Sequence, residues 1–348
     1  MEKKSQVMKM KTKILKIKTD KIDKEKIKEA GRAIREGKLV AFPTETVYGL
    51  GADALNDKAV MKIFEAKNRP FNDPLIVHID RLDGLTYLVE DIPSIARRLG
   101  ETFWPGPLTM VFKKRRVVSD VITAGLETVA VRMPDHPVAR GLILESERPI
   151  VAPSANLFSR TSPTNAKHVF EDLEGKVDII IDSGKTRVGV ESTVVDVTGP
   201  DLKVLRMGGI TVEQLQEITA KVVIANQQQE IKNSPGMLKK HYSPRARLIL
   251  MEGDQQKIIQ RIREAAYRYQ DMGYKIGIIT TKEYSKHYPE FMVSILGDAD
   301  DLNTCAQNLF AQLRFLDQMK CDIIISGSFE ERGMGRAIMD RLRRASSD

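Results

Sequence analysis

The segment Val40-Ala41-Phe42-Pro43-Thr44-Glu45-Thr46-Val47-Tyr48-Gly49-Leu50-Gly51 decides how the chain is read. Leu39–Phe42 is too short, and too rich in β-branched and aromatic residues, for a helix, and Pro43 has no N–H with which to extend a ladder. An apolar strand therefore ends there and hands over to hydroxyls, one carboxylate and two glycines. That polar loop faces a cavity or solvent. An ordinary exit turn has the same composition, so the rest of the chain must distinguish the two.

Outward from this segment, helix and strand patterns alternate. Lys13–Lys18 has the short period of an edge strand. Asp20–Gly37 reads as an amphipathic helix with Ile22, Ile27, Ala30 and Ile34 inward and Gly37 past its end. A second helix, capped by Asn56 or Asp57, carries Val60, Ile63 and Phe64 at helical spacing and ends at Ala66-Lys67-Asn68-Arg69-Pro70. Strands follow at Leu75–Ile79, Leu108–Phe112, Thr128–Met133, Pro149–Val151, Asp178–Asp182, Ser192–Val197 and Leu202–Arg206, with a helix at Ile95–Phe103. The first domain, residues 20–220 behind a basic segment 1–19, is thus expected to be α/β with a large, twisted, mixed sheet. Residues 221–245, glutamine-rich and then Ser234-Pro235-Gly236, read as a linker. Residues 246–348 repeat strand and helix as a smaller Rossmann-like α/β domain, without the G-x-G-x-x-G of a dinucleotide site. Gly333-Met334-Gly335-Arg336, near the start of the last helix, is too weak a pattern to mark a phosphate loop.

Composition narrows the function classes. With 42% hydrophobic and 29% charged residues, the 348-residue chain has globular composition, and its length suits two domains. The formal charge of +8 is mostly a property of the amino end, where Lys3, Lys4, Lys9, Lys11, Lys13, Lys16 and Lys18 face Glu2 alone. Such a tail either steers a polyanion such as RNA or stays solvated. Neither a membrane-spanning apolar run nor a signal or transit pattern is found, so the expected compartment is cytoplasmic. Cys305 and Cys321 lie outside any C-x-x-C pattern, which argues against both a disulfide framework and a zinc site.

No P-loop occurs, so a bound nucleotide would be held by scattered cations, hydroxyls and backbone N–H groups. Lys67 and Arg69 point to one side if the chain is extended after the helix, and two fixed cations suit a triphosphate; a solvated pair at a helix end looks the same. Ser154 and Asn156 repeat the pattern of apolar strand, proline and polar loop. Ser162, Thr164 and Glu191-Ser192-Thr193 offer further polar groups, and His78 lies on a strand. Each alone fits a core or turn position, but their recurrence at strand ends matches where α/β folds place ligands. Without a nucleophile triad or an activated cysteine, the chemistry should rest on positioning and charge stabilisation.

At these residues the chain resembles the YrdC/TsaC-type threonylcarbamoyl-AMP synthases, in their two-domain Sua-type branch. Pro43–Leu50 is similar to the family's first motif, Lys67-x-Arg69 to its basic pair, Pro74–His78 to the following strand, Ser154-x-Asn156 to its third motif, and Glu191–Asp196 to a further block. Ser234–Met237 and His241-Tyr242-Ser243-Pro244 resemble the branch's linker. The resemblance implies that L-threonine, bicarbonate and ATP, with Mg2+, give threonylcarbamoyl-AMP and pyrophosphate. The product would pass to a transferase complex that modifies the adenosine beside the tRNA anticodon, with direct tRNA contact left open. Lys67, Arg69, Thr128, Ser154, Asn156, Ser162 and Arg206 would hold ATP, with Tyr242 closing over it; Lys67 and Arg69 would carry catalysis. Thr46, His78, Arg132 and Ser192 would hold threonine, Thr44 fits either substrate, and no metal ligands are implied.

The chain departs from the family pattern at Asn68, where a glycine is expected, at Phe158, and at Leu238-Lys239. Two rival readings are a non-catalytic RNA-binding module, suggested by the basic tail, and a carbamoyl-adenylate enzyme of hydrogenase maturation, which the missing zinc-finger cysteines oppose. The linker over 225–245 is expected to act as a lid.

Overall fold

The computed structural model describes residues 11–225 and 241–347. In chain order its elements are β1 Lys13–Lys16, α1 Lys24–Arg35, β2 Val40–Phe42, β3 Gly49–Asp53, α2 Asp57–Lys67, β4 Ile76–His78, α3 Leu82–Leu88, α4 Ser94–Phe103, β5 Leu108–Lys113, α5 Asp120–Thr123, β6 Thr128–Arg132, α6 Pro137–Ser146, β7 Ile150–Val151, α7 Ala166–Leu173, β8 Ile179–Asp182, β9 Thr193–Asp196, β10 Leu202–Arg206, α8 Val212–Ile218 and β11 Val222–Ile224. Beyond the linker follow β12 Arg247–Met251, α9 Gln255–Asp271, β13 Ile276–Thr280, α10 Lys282–Ser285, β14 Met292–Ile295, α11 Leu302–Gln318, β15 Ile323–Gly327 and α12 Met334–Ser346.

The first domain is one mixed sheet in the order β1-β8-β2-β3-β7-β4-β6-β5-β9-β10-β11, with β1 at its edge as the alternation implies. Successive residues of β2 point to opposite faces. Val40 and Phe42 join Ile27, Ile34 and Leu142 under α1 and α6, while Ala41 joins the larger core on the other face. Both faces are thus covered near the middle of the sheet, and the hydrophobic runs there are nearly continuous. The second domain is a parallel sheet, β12-β15-β13-β14, with α9 packed on one face and α11 and α12 on the other.

Three expectations need correction. Gly49 and Gly51 are not loop residues: they lie in β3, which turns back antiparallel onto β2. A Cβ on Gly51 would meet a Phe42 ring carbon at 2.8 Å and Ile150 at 2.9 Å. Glycine is there for close packing within a strand, whereas the sequence pattern suggested a turn. The linker begins later than residue 221, because Val222–Ile224 pairs parallel with β10 as the sheet's last strand. It is a short edge strand with Val223 and Ile224 exposed, so it leaves no burial pattern to read. The third concerns Asn68, which is not extended: it caps α2 with φ 52 and ψ 41, the left-handed conformation. That conformation explains both the glycine expected there and why asparagine serves.

The domains meet over α11 and α12. Arg314 of α11 pairs with Asp172 of α7 at 2.6 Å and donates to the Thr161 carbonyl at 2.6 Å. Arg160 pairs with Asp317 at 3.2 Å. Gly189, at φ +82, lets the first domain approach so closely that a Cβ would sit 2.3 Å from Gln307 Cα. Removing one member of a buried ion pair strands the other, at about 3–5 kcal/mol. Arg314→Ala should therefore lower unfolding free energy by about that amount in urea titrations; a loss below about 1 kcal/mol would show that water or a neighbour compensates Asp172.

Candidate functional site

The loop after β2 is held from three sides. The Thr44 hydroxyl accepts from Thr46 N and Val47 N at 3.2 and 3.3 Å and donates to the Val47 carbonyl at 2.6 Å, an internal turn that fixes its shape. Tyr48 N donates to the Pro163 carbonyl and Ala155 N to the Tyr48 carbonyl, at 2.9 and 2.8 Å. Val188 N reaches the Glu45 carbonyl at 2.8 Å. The loop is buried along its length, with Thr44, Glu45 and Thr46 each at most 2% exposed. An ordinary exit turn would be solvated.

Beside it lies a cavity walled by Thr44, Thr46, Val47, Gly49, Arg69, Pro74, Leu75, Ile76, His78, Arg132, Ala152, Pro153, Ser154, Glu191, Ser192, Arg206, His241 and Tyr242. Strand alternation places this wall. In β4, Ile76 and His78 line the cavity while Val77 joins the core behind; in β6, Arg132 lines it while Val131 joins that core. Register sets His78 opposite Arg132.

Nine residues singled out from the sequence meet on the wall: Thr44, Thr46, His78, Arg132, Ser154, Ser192, Arg69, Arg206 and Tyr242. Four do not. The Lys67 amine is turned away from the wall and donates to the carbonyls of Ser154 and Asn156, at 2.5 Å each. Asn68 between them is left-handed rather than extended, and the Arg69 guanidinium goes to Asp73 and the Pro74 carbonyl. Asn156 ties its own loop, donating to the Leu157 and Arg160 carbonyls at 2.7 and 2.9 Å. Ser162 donates to Glu191 behind the wall. Thr128 shares its face of β6 with Ala130 and Arg132 but sits at the strand's start, opposite Lys113. Glu45, Glu191 and His241 belong to the site without having been assigned to it. The signal for each lay within motifs already quoted, but charge and aromaticity alone did not reveal a position.

The charges are arranged in buried pairs. Arg132 meets Glu45 at 2.7 Å with both side chains almost fully buried, and neither Glu45 oxygen finds a well-aligned hydrogen bond. Arg69 pairs with Asp73 at 2.8 Å and donates to the Pro74 carbonyl at 2.9 Å. Arg206 donates to the Ser192 carbonyl at 2.9 Å and to its hydroxyl at 3.1 Å. Burial pushes the Arg69 and Arg206 guanidinium groups below their usual range, Asp73 opposing it at Arg69. Burial, then Arg69, lowers the Lys67 ammonium well below its usual value; its two carbonyl acceptors are served by either protonation state. Burial and Arg132 push His78 down to about 3, and burial followed by Arg69 and Lys67 depresses His241 as well. Both imidazoles are therefore neutral near pH 7.

Two departures find structural roles. Asn68 is the cap described above, and Phe158 packs edge-on against His241, ring centroids 6.0 Å apart. Leu238-Lys239 and most of the expected lid lie outside the described residues. The described end is held between the domains, with Ser243 N donating to the Ser159 carbonyl at 2.8 Å and Tyr242 buried at φ 63. Lys67 and Arg69 are buried too, so they offer no surface to RNA. Among the described residues no helix is long and apolar enough to cross a membrane.

Comparison with known proteins agrees across both domains. The Sua5–YciO–YrdC family profile, described as telomere recombination, matches residues 32–208. A second profile, described as threonylcarbamoyl-AMP synthase, C-terminal domain, matches residues 210–347. The threonylcarbamoyl-AMP synthase of Pyrococcus abyssi is 46% identical, over 94% of this chain and 96% of its own. That of Bacillus subtilis is 46% identical over 92% of each. The crystal structure of P. abyssi Sua5 complexed with L-threonine superposes with a TM-score of 0.91 at 46% identity, over 96% of this chain and 98% of that one.

The neutral His78 yields a test. An unfolded histidine takes a proton near pH 6.5, whereas His78 in the fold does so near 3. Above pH 6.5 both states are neutral; between the two values the unfolded state binds the extra proton, so stability falls as pH falls. Thermal melts should therefore show a shallower decline from pH 6.5 to 4 for His78→Asn than for the unsubstituted protein. Parallel declines would mean that His78 is accessible to protons in the fold.

Proposed function

The chain belongs to the Sua5–YciO–YrdC family of threonylcarbamoyl-AMP synthases, and from that premise we propose that it joins L-threonine, bicarbonate and ATP into threonylcarbamoyl-AMP and pyrophosphate. The observation that carries this reading is one cavity whose wall brings together Arg132, at the end of β6 beside His78 of β4, and Arg69 and Arg206. Arg132 suits the threonine carboxylate, as a planar fork already desolvated and held by Glu45. Thr46, Ser192 and the neutral His78 supply hydrogen-bonding groups for the amino acid's polar atoms. Arg69 and Arg206 suit the phosphates.

Bicarbonate gives up water to yield carbon dioxide, which the threonine amine captures with loss of a proton. A carbamate oxygen then bonds to the α-phosphorus while the bond to the β-phosphate oxygen breaks and pyrophosphate leaves. The protein's share is positioning and fixed positive charge where negative charge develops. Lys67 contributes through the backbone it holds, the Ser154 and Asn156 carbonyls. We include Mg2+ as arriving with ATP. Among the described residues no group of three His, Cys, Asp or Glu side chains could hold a metal ion, and phosphate oxygens and water are suitable ligands for magnesium. We further propose that a separate transferase complex uses the product to modify the adenosine beside the tRNA anticodon, and that the compartment is the cytoplasm, which suits two free, buried cysteines.

Purified protein should release pyrophosphate from ATP only when threonine and bicarbonate are both present. Arg132→Lys keeps a cation near Glu45 but loses the fork, and should raise KM for threonine about tenfold or more while KM for ATP stays within about threefold. Pyrophosphate release indifferent to threonine would contradict the reading.

A further inference from the structure

One fully buried cation reaches the site from the second domain. Arg341 of α12 is 1% exposed. Its Nε donates to Glu191 Oε2 at 2.6 Å, its Nη1 pairs with Asp340, and its Nη2 donates to the Met207 carbonyl at 3.0 Å. Its guanidinium carbon lies 4.8 Å from the centroid of the Tyr242 ring. Three of these contacts brace the cavity. Glu191 and Tyr242 line it, and Met207 follows Arg206, which lines it. The other Glu191 oxygen accepts from the Ser162 hydroxyl, so both carboxylate oxygens are fixed. Asp340 also accepts from Arg344 Nε at 2.9 Å, within the same helix.

A carboxylate on the wall of a cavity that takes a triphosphate would repel it unless its charge were cancelled in place. No surface counter-ion can do this at 6% exposure. The fork of an arginine can, since it serves two carboxylates, a carbonyl and a ring face at once. We propose that Arg341 is a positioning residue for the nucleotide: it neutralises Glu191 and packs against the Tyr242 ring, so that the second domain completes the ATP half of the site. This rests on reading the cavity as adenylate-forming. It assigns the second domain a role in binding, so its removal should act on ATP and leave threonine, at the Arg132 end, largely untouched.

The test uses the full chain with Arg341→Gln, Arg341→Lys, Glu191→Gln and the double variant Glu191→Gln/Arg341→Gln. ATP affinity is measured by calorimetry, and kcat and KM for each substrate by pyrophosphate release. Arg341→Gln should weaken ATP binding about tenfold or more, with KM for threonine within about threefold. Removing the stranded carboxylate as well should recover most of that loss, and Arg341→Lys should fall between. A merely structural arginine would behave differently: the double variant would be no better than Arg341→Gln. That result, or unchanged ATP affinity in Arg341→Gln, overturns the proposal. Should Arg341→Gln melt below the assay temperature, the double variant and Arg341→Lys decide, and wild-type ATP affinity in both Arg341→Lys and Glu191→Gln with loss in the double variant also overturns it. Failure of the functional reading looks different, since the unsubstituted protein would then give no threonine-dependent pyrophosphate.

Discussion

A lysine amine gripped by two backbone carbonyls holds the first domain's site together. Lys67 closes α2, and its Nζ donates to the carbonyls of Ser154 and Asn156, while its own carbonyl accepts from Phe158 N at 2.8 Å. An amine this deeply buried is tolerated only if its donors are used, so helix end and loop must stay in register. Ala155 between the two carbonyls is tied to Tyr48, which fixes the loop after β2 in turn. Asn68 then redirects the chain so that Arg69 enters the cavity. Three stretches distant in sequence thus meet around one buried amine.

The site shows the same economy in its charges. Arg69 has Asp73, Arg132 has Glu45, and Glu191 has Arg341, so cations meant for anionic substrates are already desolvated and aimed. Such preorganisation spares reorganisation when charge develops. Neutral histidines at 78 and 241 add polarity without adding charge to a crowded field of arginines.

The sequence disclosed the architecture better than the detail. Strand and helix periodicity located the two domains and most central strands, and the recurrence of polar loops after apolar strands located the cavity. Helices at 82–88, 137–146, 166–173 and 212–218 carried too little pattern beside stronger neighbours to be singled out. Gly49 and Gly51 misled because a glycine needed for close packing looks like a glycine needed for a turn. Lys67 and Arg69 face one side only if the segment is extended, and the left-handed Asn68, which the sequence does not announce, removes that condition. Arg341 was invisible: in a helix with several arginines, nothing local marks the one that is buried. Tertiary burial, which periodicity does not encode for charged residues, separates what was legible from what was not.

One measurement bears most directly on the central claim, that a single cavity holds amino acid and nucleotide together. A crystal structure of the protein with L-threonine and a non-hydrolysable ATP analogue should place the threonine carboxylate on Arg132 and the phosphates against Arg69 and Arg206, within the walls described. Threonine and nucleotide at separate places, or either one outside that cavity, would contradict the account.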